Sequence, residues 1–236
     1  MTTLSASAAA LFGITLTAEH ESQFARYQDE LAAWNAHTNL TAIIAPEQVR
    51  VRHFLDSLSI VGAAALTPGL RVIDVGTGAG FPGLPLSIVF PDIHMTLLEA
   101  TGKKVAFLQH VIDVLGLNNA VTLHARAEEA GQMPAQREAY DLVLARAVAR
   151  LPSLLEYLLP LAAVGGRCIA MKGKTAAEEA AGSNHALATL GGRLETIVDV
   201  QLPDVDELHH LVVVDKVAPT PSAYPRRPGM PTQKPL

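Results

Sequence analysis

The sequence predicts an α/β fold: a doubly wound, mostly parallel seven-stranded sheet carrying an N-terminal helical extension. Three observations predict it. From Leu70 onward, short apolar β-branched runs alternate with helical segments, the mark of a parallel sheet with crossover helices. One of these runs, Val72-Ile-Asp-Val75, breaks into Gly76, Gly78, Gly80 and Gly83 and resumes as an apolar helical segment. Such a strand, glycine turn and helix N-terminus form a nucleotide-type site, because glycines permit positive φ and let a ligand approach the backbone. Ahead of Leu70 only helical periodicity is found. The expected divisions are a helical extension over residues 1–66, a sheet domain over 67–217 and a Pro-rich basic tail over 218–236.

Taken in order, the Ala-rich start, Ser5 to Phe12, lacks a basic leading region and a cleavage site, so it does not read as a signal peptide. Glu19 to His37 is an amphipathic helix, with Phe24, Tyr27, Leu31 and Trp34 at three- and four-residue steps. Pro46 starts a second helix running through Phe54, Leu58 and Val61, and Pro68-Gly69 closes it. Strands follow at Arg71 to Val75, His94 to Glu99, Val121 to Ala125, Tyr140 to Ala145 and Arg167 to Lys172. Between them lie helices over Leu84 to Phe90, with Pro82 in the first turn, Lys103 to Leu115, and Pro152 to Ala163, which Gly165-Gly166 closes. An Ala-rich helix near Ala176 to Leu190 precedes an antiparallel pair, Arg193 to Leu202 and His209 to Val217. The tail holds six of the fifteen prolines and is expected to be an extended arm or disordered.

Composition narrows the class. A hydrophobic fraction of 49% supports a sizeable core, and no uninterrupted apolar run is long enough for a membrane span. Cys168 is the only cysteine, so no internal disulfide or multi-cysteine metal site exists, and a cytoplasmic protein is expected. Nothing demands a dimer, and a monomer is expected. The net charge of −5 argues against a general nucleic-acid binder. Yet no acidic residue follows Asp215, while Lys216, Arg226, Arg227 and Lys234 do, so the tail can meet phosphates or merely solubilise the end.

The glycines satisfy two overlapping patterns. Gly78-Ala-Gly80-Phe-Pro-Gly83 fits the dinucleotide fingerprint, and Asp74-Val-Gly76-Thr-Gly78-Ala-Gly80 fits the acidic-x-G-x-G-x-G loop of S-adenosylmethionine (SAM) methyltransferases. Asp74 favours the second, because a carboxylate suits a cofactor's ammonium group better than a pyrophosphate. Ligands of an open parallel sheet sit at the carboxyl ends of its strands. There the sequence places Glu99, suited to a ribose diol, then Arg126, Ala127 and Glu128, suited to an adenine edge, then Arg146, then Lys172-Gly-Lys174. No Asn-Pro-Pro-aromatic or Asp-Pro-Pro-aromatic run follows the fourth strand, which disfavours methylation of exocyclic amines. Cys168 lies inside an apolar strand and reads as a small hydrophobe rather than a nucleophile. No cluster has metal-ligand spacing, and His209-His210 would point to opposite faces of a strand. An acceptor that needs no deprotonation, such as guanine N7, fits this poverty of acid–base groups. Arg146 could donate to its O6.

These residues together resemble the bacterial 16S ribosomal RNA guanine-N7 methyltransferase G family, also called glucose-inhibited division protein B. The resemblance runs from about Trp34 to Leu236. It rests on Trp34-Asn35, Asn39-Leu-Thr41, His53-Phe-Leu-Asp-Ser-Leu58 and Asp74 to Gly83. It continues through Leu97-Leu-Glu99, Lys103-Lys104, Arg126-Ala-Glu128, Arg146-Ala147, Lys172-Gly173 and Tyr224-Pro-Arg-Arg-Pro-Gly229. It implies a Rossmann-like class I SAM methyltransferase fold that methylates one guanine in the decoding region of 16S rRNA, in the small ribosomal subunit or an assembly intermediate of it. The resemblance also implies that Gly76, Phe81, Glu99, Ala127, Glu128 and Arg146 line the SAM site, and that Arg126 and Arg146 are the basic residues nearest the transfer. Asp74 and Gly78 join the cofactor set from the loop pattern. His209 departs from the arginine expected to open the last strand. The N-terminal motifs serve either RNA docking or helix packing. Two competing readings remain open at this point: an NAD-dependent oxidoreductase using the overlapping glycine pattern, and a non-catalytic SAM-binding ribosome assembly factor.

Overall fold

The computed structural model describes residues 3–236. The N-terminal helices are α1 (Leu4–Phe12), α2 (Ala18–Thr38), α3 (Pro46–Val49) and α4 (Asp56–Leu58). Those interleaved with the sheet are α5 (Gly83–Val89), α6 (Gly102–Leu115), α7 (Ala127–Ala130), α8 (Leu151–Leu158), α9 (Ala176–Ala181) and α10 (Asn184–Leu190), with α11 (Met230–Gln233) in the tail. The strands are β1 (Arg71–Val75), β2 (His94–Glu99), β3 (Ala120–His124), β4 (Tyr140–Arg146), β5 (Ala162–Lys172), β6 (Gly192–Val200) and β7 (His209–Lys216). They form one sheet in the order β3-β2-β1-β4-β5-β7-β6. The first five strands are parallel, and β7 runs antiparallel to both β5 and β6, as expected. The chain builds outward from β1 to β3 and then returns to lay β4 against β1. Strand order therefore reverses between β1 and β4, where a ligand crevice opens at the carboxyl ends.

Alternating side chains send each strand's apolar residues to two cores. Val72, Leu97 and Leu142 join the aromatic and aliphatic faces of α2, α5 and α6, whereas Ile73, Leu98 and Val143 pack with the leucines of α8 and α10. The helical extension meets the glycine turn through an aromatic cluster. Phe24 and Phe54 lie 4.9 Å apart, and Tyr27 stacks on Phe81 at 5.4 Å. Such pairs add roughly 0.5–1.5 kcal/mol each beyond their buried area. The Tyr27 hydroxyl donates to the Ala79 carbonyl, so α2 braces the turn from behind. Gly80 has φ +98°, and an added Cβ would sit 2.6 Å from the Tyr27 oxygen, so only glycine fits there.

The Ala-rich start forms α1, capped by the Thr3 hydroxyl, which accepts from the Ala6 N–H at 3.2 Å. Four expectations are corrected. The helix from Pro46 is not uniform: Arg50–Leu55 widens into a π-helical stretch, α4 follows, and Ser59–Gly62 tightens to 3-10 geometry. Pro82 lies at the N-cap of α5, one residue before the helix. The helix placed over Pro152 to Ala163 ends at Leu158, and Gly165-Gly166 lie inside β5, where the pairing with β4 slips between Tyr140 and Leu142. The apolar Leu158 to Ala163 run suits either element, and period alone cannot separate them. The Ala176 to Leu190 helix breaks into α9 and α10 at Gly182-Ser183.

The tail is neither disordered nor a free arm. Arg137 donates to the Tyr224 and Thr220 carbonyls, each at 2.7 Å, and Ser153 donates to the Pro231 carbonyl at 2.8 Å. Arg226 pairs at 2.6 Å with the fully buried Glu156. Lys216, counted as part of the tail's charge, is 1% exposed and lies 3.2 Å from Glu138. Of those four cations only Arg227 and Lys234 stand exposed.

Candidate active site

β1 ends in Asp74 and Val75, and Gly76 opens the turn. Asp74 is fully buried, and its Oδ2 accepts from Thr77 Oγ1 at 2.6 Å and from the Gly83 N–H at 2.8 Å. This carboxylate thus ties the start of the glycine turn to its end. Oδ1 is the one buried side-chain oxygen without a partner among the described residues. Burial pushes the Asp74 carboxyl up to about 6, against the hydrogen bonds from Thr77 and Gly83 and the pull of Arg146. Gly76 takes φ +67°, and a Cβ there would meet the Val148 side chain at 2.8 Å.

A cavity of about 420 Å³ opens over this turn at the switch point. Gly76 and Glu99 form its floor, Arg126, Ala127 and Glu128 one side, and Val148 and Ala149 the other. Glu99 is 6% exposed, with Oε2 accepting from the Gly78 N–H at 3.1 Å and Oε1 from the Thr101 N–H at 2.8 Å. Each oxygen keeps a lone pair, so the carboxylate stands fixed to receive two neighbouring hydroxyls. Glu128 is nearly buried, and its Oε1 accepts from the Gly229 N–H at 2.9 Å. The Ala127 N–H lies in the first turn of α7, without an intrahelical partner. The tail completes the enclosure through Gly229, Thr232 and Pro235, which sequence reasoning did not place here.

The other site residues lie apart from that cavity. Asp74, Gly78 and Phe81 support it from beneath rather than line it. Phe81 is buried between His53, ring centroids 4.4 Å apart, and Tyr27, with the Arg146 guanidinium 5.0 Å from its ring centre. Arg146 lines a second cavity of about 430 Å³, and Arg126 does not, so the two arginines are not brought to one cavity. Arg126 is exposed at the rim of the first.

Arg146 is held from four directions. Nη1 donates to the Arg52 carbonyl and to Asp56 Oδ2, both at 3.0 Å, and Nη2 donates to His53 Nδ1 at 3.1 Å, while Phe81 faces the guanidinium. A guanidinium only donates, so toward Arg146 His53 Nδ1 accepts, which leaves its 3.0 Å approach to the Arg52 carbonyl without a proton and puts the proton on Nε2, 2.9 Å from Thr41 Oγ1. Burial, and then the Arg146 charge, lower the His53 imidazole to about 4 and keep it neutral. Asn35 fixes Thr41 in turn, its Oδ1 accepting from the Thr41 N–H at 2.9 Å. The N-terminal motifs thus contribute to a packing network that ends on Arg146. The π-helical stretch presents the Arg52 carbonyl and His53 to it. On the far side of Asp56, His209 Nδ1 lies 2.9 Å from Oδ1, and that hydrogen bond raises the His209 imidazole above its ordinary range. Asp56 was missed by sequence reasoning; its place three residues after His53, on one helical face, was the available signal. His210 bonds Asp199, so the histidine pair does turn to different partners. Cys168 is 1% exposed, and burial pushes its thiol up to about 12, as suits a packed hydrophobe.

The family profile described as rRNA small subunit methyltransferase G matches residues 20–209. This chain belongs to that family. It is 49% identical over 225 residues, 95% of each chain, to the ribosomal RNA small subunit methyltransferase G of Roseiflexus castenholzii. It is 48% identical to the protein of the same name from Caldanaerobacter subterraneus, over 97% of this chain and 95% of that one. A SAM-dependent methyltransferase of Aquifex aeolicus shares the fold at TM-score 0.54 and 19% identity, covering 72% of this chain and 93% of the other. The Rossmann-like class I fold is thus established, and neither the oxidoreductase nor the non-catalytic reading finds support among these relatives. No helix among the described residues is long and apolar enough to cross a membrane.

The residues of the first cavity fit SAM. Glu99 offers two half-free oxygens for a ribose diol, Ala127 and Glu128 can hold a base edge, and Val148, Ala149 and Leu98 give apolar walls. The partnerless Asp74 oxygen adds negative potential beneath the turn.

Proposed function

We propose that this chain transfers the methyl group of SAM to N7 of one guanine in 16S rRNA, acting on the small ribosomal subunit or an assembly intermediate of it. Bound SAM supplies an electrophilic methyl on a sulfonium. The observation that carries the reading is Glu99, preset by two backbone N–H groups at the floor of a cavity at the switch point. In this assignment the turn from Asp74 through Gly76 and Gly78 holds the methionine end. Glu99 takes the ribose hydroxyls, Ala127 and Glu128 the adenine, and Phe81 backs the turn. Arg146 orients the acceptor base through O6, and Arg126, exposed at the rim, meets RNA.

Guanine N7 carries no proton, so the chain needs no general base. Positioning is its main contribution, and a near-attack arrangement alone is worth roughly 7–11 kcal/mol. A monomer is the working unit in this reading. An enzyme acting on ribosomal particles works in the cytoplasm.

The test incubates the protein with radiolabelled SAM and small subunits lacking the modification, then maps the label. Label on one guanine, cleavable by mild reduction and aniline, is the expected result. SAM binding without transfer to particles or assembly intermediates would overturn the substrate, and absence of SAM binding would overturn the reaction.

A further inference from the structure

The second cavity lies across one short segment from the first: Arg146 and Ala147 line it, whereas Val148, Ala149 and Arg150 line the cofactor cavity. Two cavities sharing one wall at the strand ends are what a two-substrate transfer requires. Its volume of about 430 Å³ falls within the usual range for small-molecule sites. Ile43, Met171 and Leu211 supply apolar surface for the faces of a base, and Arg146 supplies a fixed cation.

Counting donors on Arg146 defines what that base must be. Of five N–H groups, Nη1 spends two on Arg52 O and Asp56 Oδ2, and Nη2 spends one on His53. Two remain. They suit a carbonyl acceptor such as guanine O6 and leave the neighbouring N7 lone pair unengaged for methylation. This arrangement depends on Asp56 holding Arg146 through one oxygen only. His209 occupies the other oxygen. Without it, the buried Oδ1 would lack a partner and would draw a further N–H from the guanidinium, turning a one-oxygen contact into a bidentate pair.

We propose that the second cavity seats the acceptor guanine, and that His209 is a positioning residue that acts through Asp56 to keep two Arg146 donors free for the base. The inference rests on the methyltransferase reading above. It also explains how a histidine serves where an arginine was expected: either side chain can donate to Asp56 Oδ1. The groups facing His209 are Asp56, which favours its protonated form, and Arg146 and Arg52, which oppose it. His210 on the same strand is turned to Asp199.

The test compares wild type, His209→Ala, His209→Arg and Ile43→Trp in methylation of small subunits lacking the modification, with SAM affinity measured by calorimetry. His209→Ala is expected to raise KM for the particle, or lower kcat, by about tenfold while SAM affinity stays within about twofold. His209→Arg is expected to restore the rate, because its guanidinium also donates to Asp56 Oδ1. Ile43→Trp, which fills the cavity, should abolish transfer and spare SAM binding. An unchanged rate in both His209→Ala and Ile43→Trp, with an active wild type, overturns this inference alone. A parallel fall in SAM affinity would make His209 a general structural support and overturn it too. Absence of transfer by wild type would instead sink the substrate assignment, and this inference with it.

Discussion

Asp74 stands at the junction of sequence pattern and site chemistry. The pattern marks it as a cofactor-facing carboxylate, whereas its strongest contacts are to Thr77 and Gly83 within the turn. Because burial raises its carboxyl from 3.8 to about 6, the native state holds this proton more tightly than the unfolded chain does. Its effect on stability is therefore nil below about pH 4 and grows unfavourable as pH rises to about 6, reaching about 3 kcal/mol. Asp74→Asn keeps an acceptor for Thr77 and Gly83 and cannot ionise. Urea midpoints of the variant should stay level across that interval while those of wild type fall; parallel curves would refute the account. At Glu99 the expected change is in binding. Glu99→Gln loses the charge and one backbone contact, and SAM affinity by calorimetry should drop roughly tenfold, the loss of about 1.4 kcal/mol expected for one charge-assisted hydrogen bond.

Among the elements, the tail shows most clearly what sequence could and could not reveal. Its prolines exclude long helices and sheet pairing, but they do not prevent docking through backbone carbonyls, which Arg137 and Ser153 exploit. Arg226 looks like a free cation until Glu156, 70 residues away in sequence, is placed beneath it. Arg226→Ala would leave that fully buried carboxylate unpaired, and should lower unfolding free energy by about 3–5 kcal/mol in urea titrations. A loss below about 1 kcal/mol would mean that the tail is not a structural strap. The parallel strands, by contrast, were legible because burial on both faces imposes unbroken apolar runs bounded by turn residues. The Glu99 and Ala127-Glu128 positions were legible because strand ends are where such sheets bind ligands. The Arg146 surroundings were not. They depend on a π-helical stretch and on His209 meeting Asp56 153 positions earlier in the chain, and local pattern specifies neither.

Across the whole molecule, the tail and the sheet meet at the cavity proposed for SAM, so ligand binding and global stability should be coupled through both. A ligand that binds only the native state at 100 times its Kd adds about 2.7 kcal/mol to stability. For a chain of this size that raises Tm by about 5–10 °C. SAM is expected to produce such a shift in a thermal melt, and NADH at the same concentration is expected to produce none. Removing residues 229–236 takes away the Gly229, Thr232 and Pro235 wall and frees Glu128 Oε1 from its backbone partner. Basal Tm should fall modestly, because the Arg226–Glu156 pair survives the cut. The shift with SAM should shrink by more than half, since the cavity then stands open along one side. A truncated chain with the full SAM shift would show that the tail only borders the cavity. A truncated chain with no shift and intact melting would make the last eight residues part of the cofactor site itself, held there by the same contacts that strap the tail to α8.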